Sequence, residues 1–165
     1  MCYSYLNSYS TFHLDGSPHP AGPGPEGSTI WFATHMLQAI DPGFAREQYE
    51  LARGSLGQSF FGFGYSREWP RFSLSSVDID SGMVVPVLGA SASASGLALV
   101  AAAAFDDDDY YRHLRTSLEF GAFPNRAEEA NTATFLMAGA IGDPVIYYST
   151  VVGPLWDKLT PQDRR

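Results

Sequence analysis

From Met83 to Phe105 the chain runs twenty-three residues without a charge, and no other feature constrains its fold as strongly. Such a run belongs away from water. Either a bilayer, which roughly 20 apolar residues span, or a protein interior supplies that shelter. Pro86, Gly89, Gly96 and the serines Ser81, Ser91, Ser93 and Ser95 interrupt or border the run. Its flanks, Asp78, Asp80 and Asp106 to Asp109, are acidic and lack the Lys/Arg bias that orients membrane spans. The run therefore reads as a helix from about Ser91 to Phe105 covered by protein on all sides, with membrane insertion unlooked for.

The charge balance narrows the partners. Ten basic residues stand against eighteen acidic ones, giving a net charge of -8. Lys158 is the one lysine and the arginines are scattered, so no basic patch exists to hold phosphates, and no nucleic-acid partner is expected. At 165 residues and 45% apolar, the chain has the size and composition of one globular domain. The single cysteine, Cys2, excludes an internal disulfide and a cysteine-based zinc cluster. Met1 to Tyr9 has neither a basic nor an apolar signal region, so a soluble, cytoplasmic protein is the expectation.

Three regions are expected. Residues 1–27 hold a short strand or hairpin about Asp15-Gly16, then a Pro/Gly-rich loop in which Pro18, Pro20 and Gly22-Pro23-Gly24-Pro25 oppose regular structure. Residues 28–156 read as helices, and 157–165 as a polar tail. Ser28 or Thr29 would cap a helix to about Ile40 whose Trp31, Thr34, His35 and Gln38 share an uncharged face. Asp41-Pro42 opens an amphipathic helix to about Leu56, with Arg46 and Glu50 at i,i+4. After the charge-free helix, Asp106 to Asp109 start another amphipathic helix to about Phe120. A third apolar helix is expected from about Asn131 to Ile141, and a further one ending at Gly153-Pro154.

Alternating charge-free and amphipathic helices predict a mostly α fold, an α/α hairpin array with inner helices covered by neighbours. Three hairpins make half of a six-hairpin toroid, which points to a homodimer or to a missing N-terminal half; a layered helical bundle is the plainer alternative.

Gly22-Pro23-Gly24-Pro25-Glu26-Gly27 before Trp31-Phe32-Ala33, then Ala45-Arg46-Glu47-Gln48-Tyr49, Gly64 to Pro70, Asp78-Ile79-Asp80-Ser81-Gly82 and Ser91 to Gly96 together resemble the C-terminal part of linalool dehydratase/isomerase-like proteins, and more loosely the (α/α)6 toroids that include many glycoside hydrolases. The resemblance covers most of residues 22–156. It implies a toroid with its active site at one open end. It carries over no catalytic residue, because that family's best-known enzyme uses cysteines together with a tyrosine/aspartate/histidine set, and Cys2 lies in none of the matching stretches.

Candidate chemistry rests on carboxylates. Asp78 and Asp80, if extended, point the same way. Two acids sharing a site split their pKa values into an acid and a base, as cleavage of a glycoside or dehydration of an alcohol requires; capping and pairing with Arg67 is the structural alternative. Glu68 stands among Tyr65, Arg67 and Trp69, a set that stacks on and hydrogen-bonds hydroxylated ligands. Glu26 precedes the first inner helix near its positive end, where a capping role competes with catalysis. Trp31 and His35 would line the same cavity. No metal or other cofactor is expected, because the four histidines have no ligand spacing. Neither a Walker nor a dinucleotide fingerprint appears, and Ser91, Ser93 and Ser95 lack a nucleophile elbow. The leading expectation is carboxylate acid/base chemistry on a neutral hydroxylated substrate, most simply a carbohydrate. Asp78, Asp80, Glu68 and Glu26 are its catalytic candidates, and Tyr65, Arg67, Trp69, Trp31 and His35 its binding residues. The alternatives are a dehydratase or isomerase on a small alcohol or terpenoid, and a non-catalytic half-toroid that binds or dimerises.

Overall fold

The computed structural model describes residues 11–12, 18–19, 26–69, 84–85, 88–121, 124–126, 133–135 and 144–153. These are mostly helical, with a small antiparallel sheet. Helix α1 spans Gly27–Leu37 and α2 Pro42–Ser55; α3 spans Ala92–Ala104 and α4 Asp108–Gly121. Residues 144–153 form α5. For α2, α3 and α4 the expected helix boundaries are met within a few residues, whereas α1 stops at Leu37 and leaves Ile40 exposed in the following turn.

Local chemistry explains the starts. Asp41 accepts a hydrogen bond from Phe44 N at 2.9 Å and Pro42 fixes the first turn of α2. Ser91 caps α3 by accepting from Ala94 N at 3.1 Å, and Asp107 does the same for Tyr110 N of α4 at 3.1 Å. Helix α1 is different. Its N-cap residue is Glu26, and Ser28 lies inside the first turn rather than capping it.

Strands β1 (Thr11–Phe12) and β2 (Pro18–His19) pair antiparallel, so Pro18 sits within a two-residue strand after all; the expected Asp15-Gly16 turn lies outside the described residues. The sheet that matters for packing holds β3 (Gly57–Phe60), β4 (Phe63–Arg67), β5 (Val84–Val85) and β6 (Ala90–Ser91), in the order β3-β4-β6-β5. The polar, glycine-rich pattern of residues 62–70 predicts a loop; residues 63–67 are instead the inner strand of a hairpin. Another correction falls near the C-terminal end. Residues 133–135, expected in a helix, form β8 (Ala133–Phe135), paired with β7 (Pro124–Arg126). Ala133-Thr134-Phe135 carries a β-branched and an aromatic residue, and cross-strand pairing overrides a weak helical pattern.

Helix α1 packs on α2 and, more extensively, on α3; α3 packs on α4. The core between them joins Ile30, Trp31, Tyr49 and Leu56 to Ala94, Ala98, Ala101, Ala102 and Ala104, with Phe105, Tyr110 and Leu114. The alanines let α3 lie close to its neighbours, which is why a run of such small side chains is buried. Trp31 is the hub: its ring lies 5.7 Å from Tyr49 and 6.2 Å from Tyr110, and its indole N–H donates to Ser66 Oγ at 2.7 Å.

Strand β4 locks onto this core through its backbone, in part through the amides of Gly64 and Ser66 that β3 leaves unused. Ser66 N donates to Ser95 Oγ at 2.9 Å, Gly64 N to Ser117 Oγ at 2.9 Å, and the Tyr110 hydroxyl to Tyr65 O at 2.9 Å. Gly64 is required here, because a Cβ would lie 2.8 Å from Leu114 N. At the α3–α4 junction Asp107 also accepts from the Tyr49 hydroxyl at 2.8 Å and from Arg53 Nε at 3.1 Å. The Arg53 guanidinium stacks 3.9 Å above the Tyr110 ring. Arg46 turns to the Phe105 carbonyl at 3.4 Å instead of forming the expected pair with Glu50.

No described helix is long and apolar enough to cross a membrane. Within the charge-free run, residues 84–85 and 90–91 are strand and 92–104 helix.

Candidate functional site

Two places gather the residues singled out in the sequence, and they differ in kind. The first is the start of α1. Glu68 is fully buried. Its carbonyl accepts from Gly27 N at 2.6 Å, while Oε1 accepts from Ser28 N at 3.1 Å and from the Ser28 hydroxyl at 2.7 Å. Oε2 lies 3.5 Å from the donating Ser93 hydroxyl. Glu68 thus satisfies the amides of the first two residues of α1 from a distance of forty positions, and its charge faces the positive end of the helix dipole. Glu26 stands at the same helix start, its carbonyl accepting from Ile30 N at 3.0 Å and its carboxylate 3.5 Å from the Thr29 hydroxyl. The structure therefore brings Glu26 and Glu68 to one helix end, but in the setting of a cap. Tyr65 and Arg67 are half-buried strand residues and Trp69 is buried beside them. Asp78 and Asp80 lie outside the described residues.

The second place is a cavity of about 420 Å³ on the far side of α1, lined by Trp31, Phe32, His35 and Met36, by Leu97 and Val100 of α3, and by Pro144, Val145 and Tyr148 of α5. The i, i+4 spacing of Trp31–His35 and Phe32–Met36 puts all four on one stripe of α1. The described wall is almost entirely apolar, and its polar exception is a pair: His35 Nε2 and the Tyr148 hydroxyl are 3.0 Å apart, in a tilted edge-on ring contact of 5.6 Å. Which of the two donates follows from the imidazole tautomer. Burial drives the His35 pKa down from 6.5 to about 4, because an imidazolium there loses its hydration. Burial likewise pushes the Tyr148 phenol up. At neutral pH the pair is an uncharged imidazole beside an uncharged phenol. Once a ligand hydroxyl or carbonyl displaces the bond between them, the two can present one acceptor and one donor to it within an otherwise apolar wall.

Of the nine residues selected in the sequence, Trp31 and His35 reach this cavity. Tyr148 was missed. It lies 113 positions from its partner, inside an apolar helix, and no local signal marks it. Among the described residues no three His, Cys, Asp or Glu side chains converge in a way that would hold a metal ion. A second, shallower groove, of about 470 Å³, runs along Arg46, Tyr49, Glu50, Arg53 and Phe105 to Asp107; there Asp107 is already committed to Tyr49, Arg53 and the α4 cap. Compared with models of known protein families and with curated proteins, the chain matches none.

Proposed function

We propose that the cavity beside α1 receives a small, neutral, largely apolar molecule bearing one hydroxyl or carbonyl group, and that the protein belongs to the α/α-toroid enzymes as a dehydratase or isomerase. The observation that carries this is the His35–Tyr148 pair, 3.0 Å apart in an apolar cavity of about 420 Å³. That volume falls in the range of small-molecule sites, about 300–1,000 Å³. Loss of water from an alcohol, or migration of a double bond, needs a base for a C–H proton and a donor at the departing or polarised oxygen. With the phenol donating to the imidazole, a ligand oxygen that captures the phenol hydrogen bond frees the imidazole lone pair, so Tyr148 is then the donor and His35 the base. The paired helices α1/α2 and α3/α4, with α1 against α3, are consistent with successive hairpins of an α/α array.

Glycoside hydrolysis is the weaker of the two enzyme readings. It rests on carboxylates at the binding wall, whereas the oxygens of Glu68 are taken by Ser28 and Ser93 and, among the described residues, no carboxylate borders the cavity. A sugar would also present hydroxyls to Phe32, Leu97, Val100 and Val145, which cannot pair with them.

Isothermal titration of isoprenoid and short-chain alcohols against mono- and disaccharides separates the readings. Alcohols should bind and sugars should not, with Tyr148→Phe weakening the alcohol about tenfold, the worth of one hydrogen bond of about 1.4 kcal/mol. Binding of sugars with no heat from any alcohol would overturn the proposal. Headspace detection of alkene or rearranged alcohol from the bound alcohols then tests the chemistry.

A further inference from the structure

The hairpin of β3 and β4 ends in an exposed aromatic tip. Phe60 is 69% exposed, Phe61 87% and Phe63 38%, and Phe120 at the end of α4 is 73% exposed. The rings are already arranged in edge-to-face pairs, Phe60–Phe61 at 4.5 Å and Phe63–Phe120 at 5.5 Å. Phe61 and Gly62 both have positive φ, 49° and 81°, as the two-residue turn of a tight hairpin requires. Asn, Asp or Gly is the ordinary residue at the first of these positions. Here a bulky phenylalanine holds a conformation that disfavours it while its ring faces water. Backbone strain combined with an exposed apolar ring is a signature of a surface built for contact.

Two further observations say what kind of partner fits. Strand β3 is the edge of its sheet, and among the described residues no strand pairs with its outer side. Phe60 and Phe63 close the turn as a hydrogen-bonded pair, and alternation then turns the amides and carbonyls of Phe60 and Gln58 toward β4 and those of Gly57 and Ser59 outward. A bilayer cannot satisfy outward-facing backbone groups, whereas another strand can. The stretch from Gly57 to Ser66 also carries no charge, in a chain of net charge -8. Two copies repel each other over most of their surface; here they approach without opposing charges.

We propose that this edge is a self-association surface, at which β3 of one copy pairs antiparallel with β3 of a second copy about a two-fold axis. Gly57 is buried beside Arg53, so the open edge is at the exposed Ser59 and Phe60; with Ser59 on the axis, the outward amide and carbonyl of each Ser59 pair with those of the other, and Gln58 of each copy stands opposite Phe60 of the other. The aromatic tip of each subunit is thereby covered by the other. The contact is isologous and closes as a dimer.

Sedimentation equilibrium over a concentration series of the chain reads this out. A monomer–dimer equilibrium is expected. Ser59→Pro removes an outward amide without touching the bonds to β4, and Phe61→Gly removes the ring while suiting the turn. Each should weaken association tenfold or more with an unchanged far-UV circular dichroism spectrum. A Phe61→Gly protein that folds as well as the parent but dimerises as tightly overturns the proposal, as does a monomer at every concentration. A parent chain that stays monomeric yet floats with phosphatidylcholine vesicles also overturns it, and assigns the tip to a lipid surface.

Discussion

At position 27 an added methyl group would sit 2.4 Å from the Arg67 carbonyl oxygen and 3.3 Å from Ala94 Cβ. Alanine within a helix is ordinarily better than glycine by about 1 kcal/mol, but here the clash is with backbone, which cannot swing aside. Gly27→Ala should therefore destabilise the protein by about 2–3 kcal/mol in urea unfolding, the cost of overpacking. In the sequence Gly27 reads as the end of a Gly/Pro run; its real constraint comes from residues 67, 68 and 94, which only the fold brings to it. Glu68 shows the same limit: its residue type was noticed, but whether a carboxylate is a catalyst or a cap depends on what surrounds it. His35 gives a pH prediction. Its pKa is 6.5 when unfolded and about 4 when folded, so between these values the unfolded chain binds the extra proton. Stability is whole above about pH 6.5 and falls as the pH drops toward 4, by about 3 kcal/mol from a shift of this size at 1.36 kcal/mol per unit. His35→Gln should flatten that slope in unfolding titrations; an unchanged slope would remove His35 as its source.

The elements were legible wherever local chemistry alone decides them. Asp41-Pro42 opens α2 and the acidic run before Tyr110 opens α4 much as the capping and dipole rules require. The β3–β4 hairpin was not legible, because its turn is Phe61-Gly62 rather than Asn-Gly and its strands are interrupted by glycines. Its position is set instead by Ser95, Ser117 and Tyr110 on α3 and α4. Asp107 is the clearest case of one side chain serving several elements. Removing it with Asp107→Ala takes away the α4 cap and leaves the Tyr49 hydroxyl and Arg53 Nε without their acceptor. The cap is worth about 1 kcal/mol. The Arg53 bond is partly solvated and adds less than a buried pair would. A loss of about 2 kcal/mol is expected in urea unfolding, against about 1 kcal/mol for Tyr49→Phe, which removes a single bond. Equal losses for the two variants would show that the cap and Arg53 contribute nothing beyond the tyrosine.

At the scale of the molecule, alternating charge-free and amphipathic helices led to the correct class, mostly α, because burial on all sides leaves so plain a mark on composition. The cavity left no comparable mark, since His35 and Tyr148 meet only when α5 closes on α1. How the paired helices cooperate is a separate question that the packing answers. Helix α1 packs more extensively on α3 than on its own partner α2. Trp31 of α1 bonds to Ser66 of β4, and β4 in turn bonds to α3 through Ser95 and to α4 through Ser117. Asp107 ties α2 to the α3–α4 junction as well. Neither α1/α2 nor α3/α4 can open without exposing the buried face of the other, so the pairs should unfold together. Urea titrations followed by far-UV circular dichroism, which reads helix, and by tryptophan fluorescence should give coincident midpoints. Ser66→Ala, which leaves the Trp31 indole N–H buried without its acceptor, should lower both midpoints together by an amount equivalent to about 1–3 kcal/mol. A variant in which fluorescence changes first and helix content later would show that the two helical pairs are separable units, with β4 a strap between them rather than a part of one core.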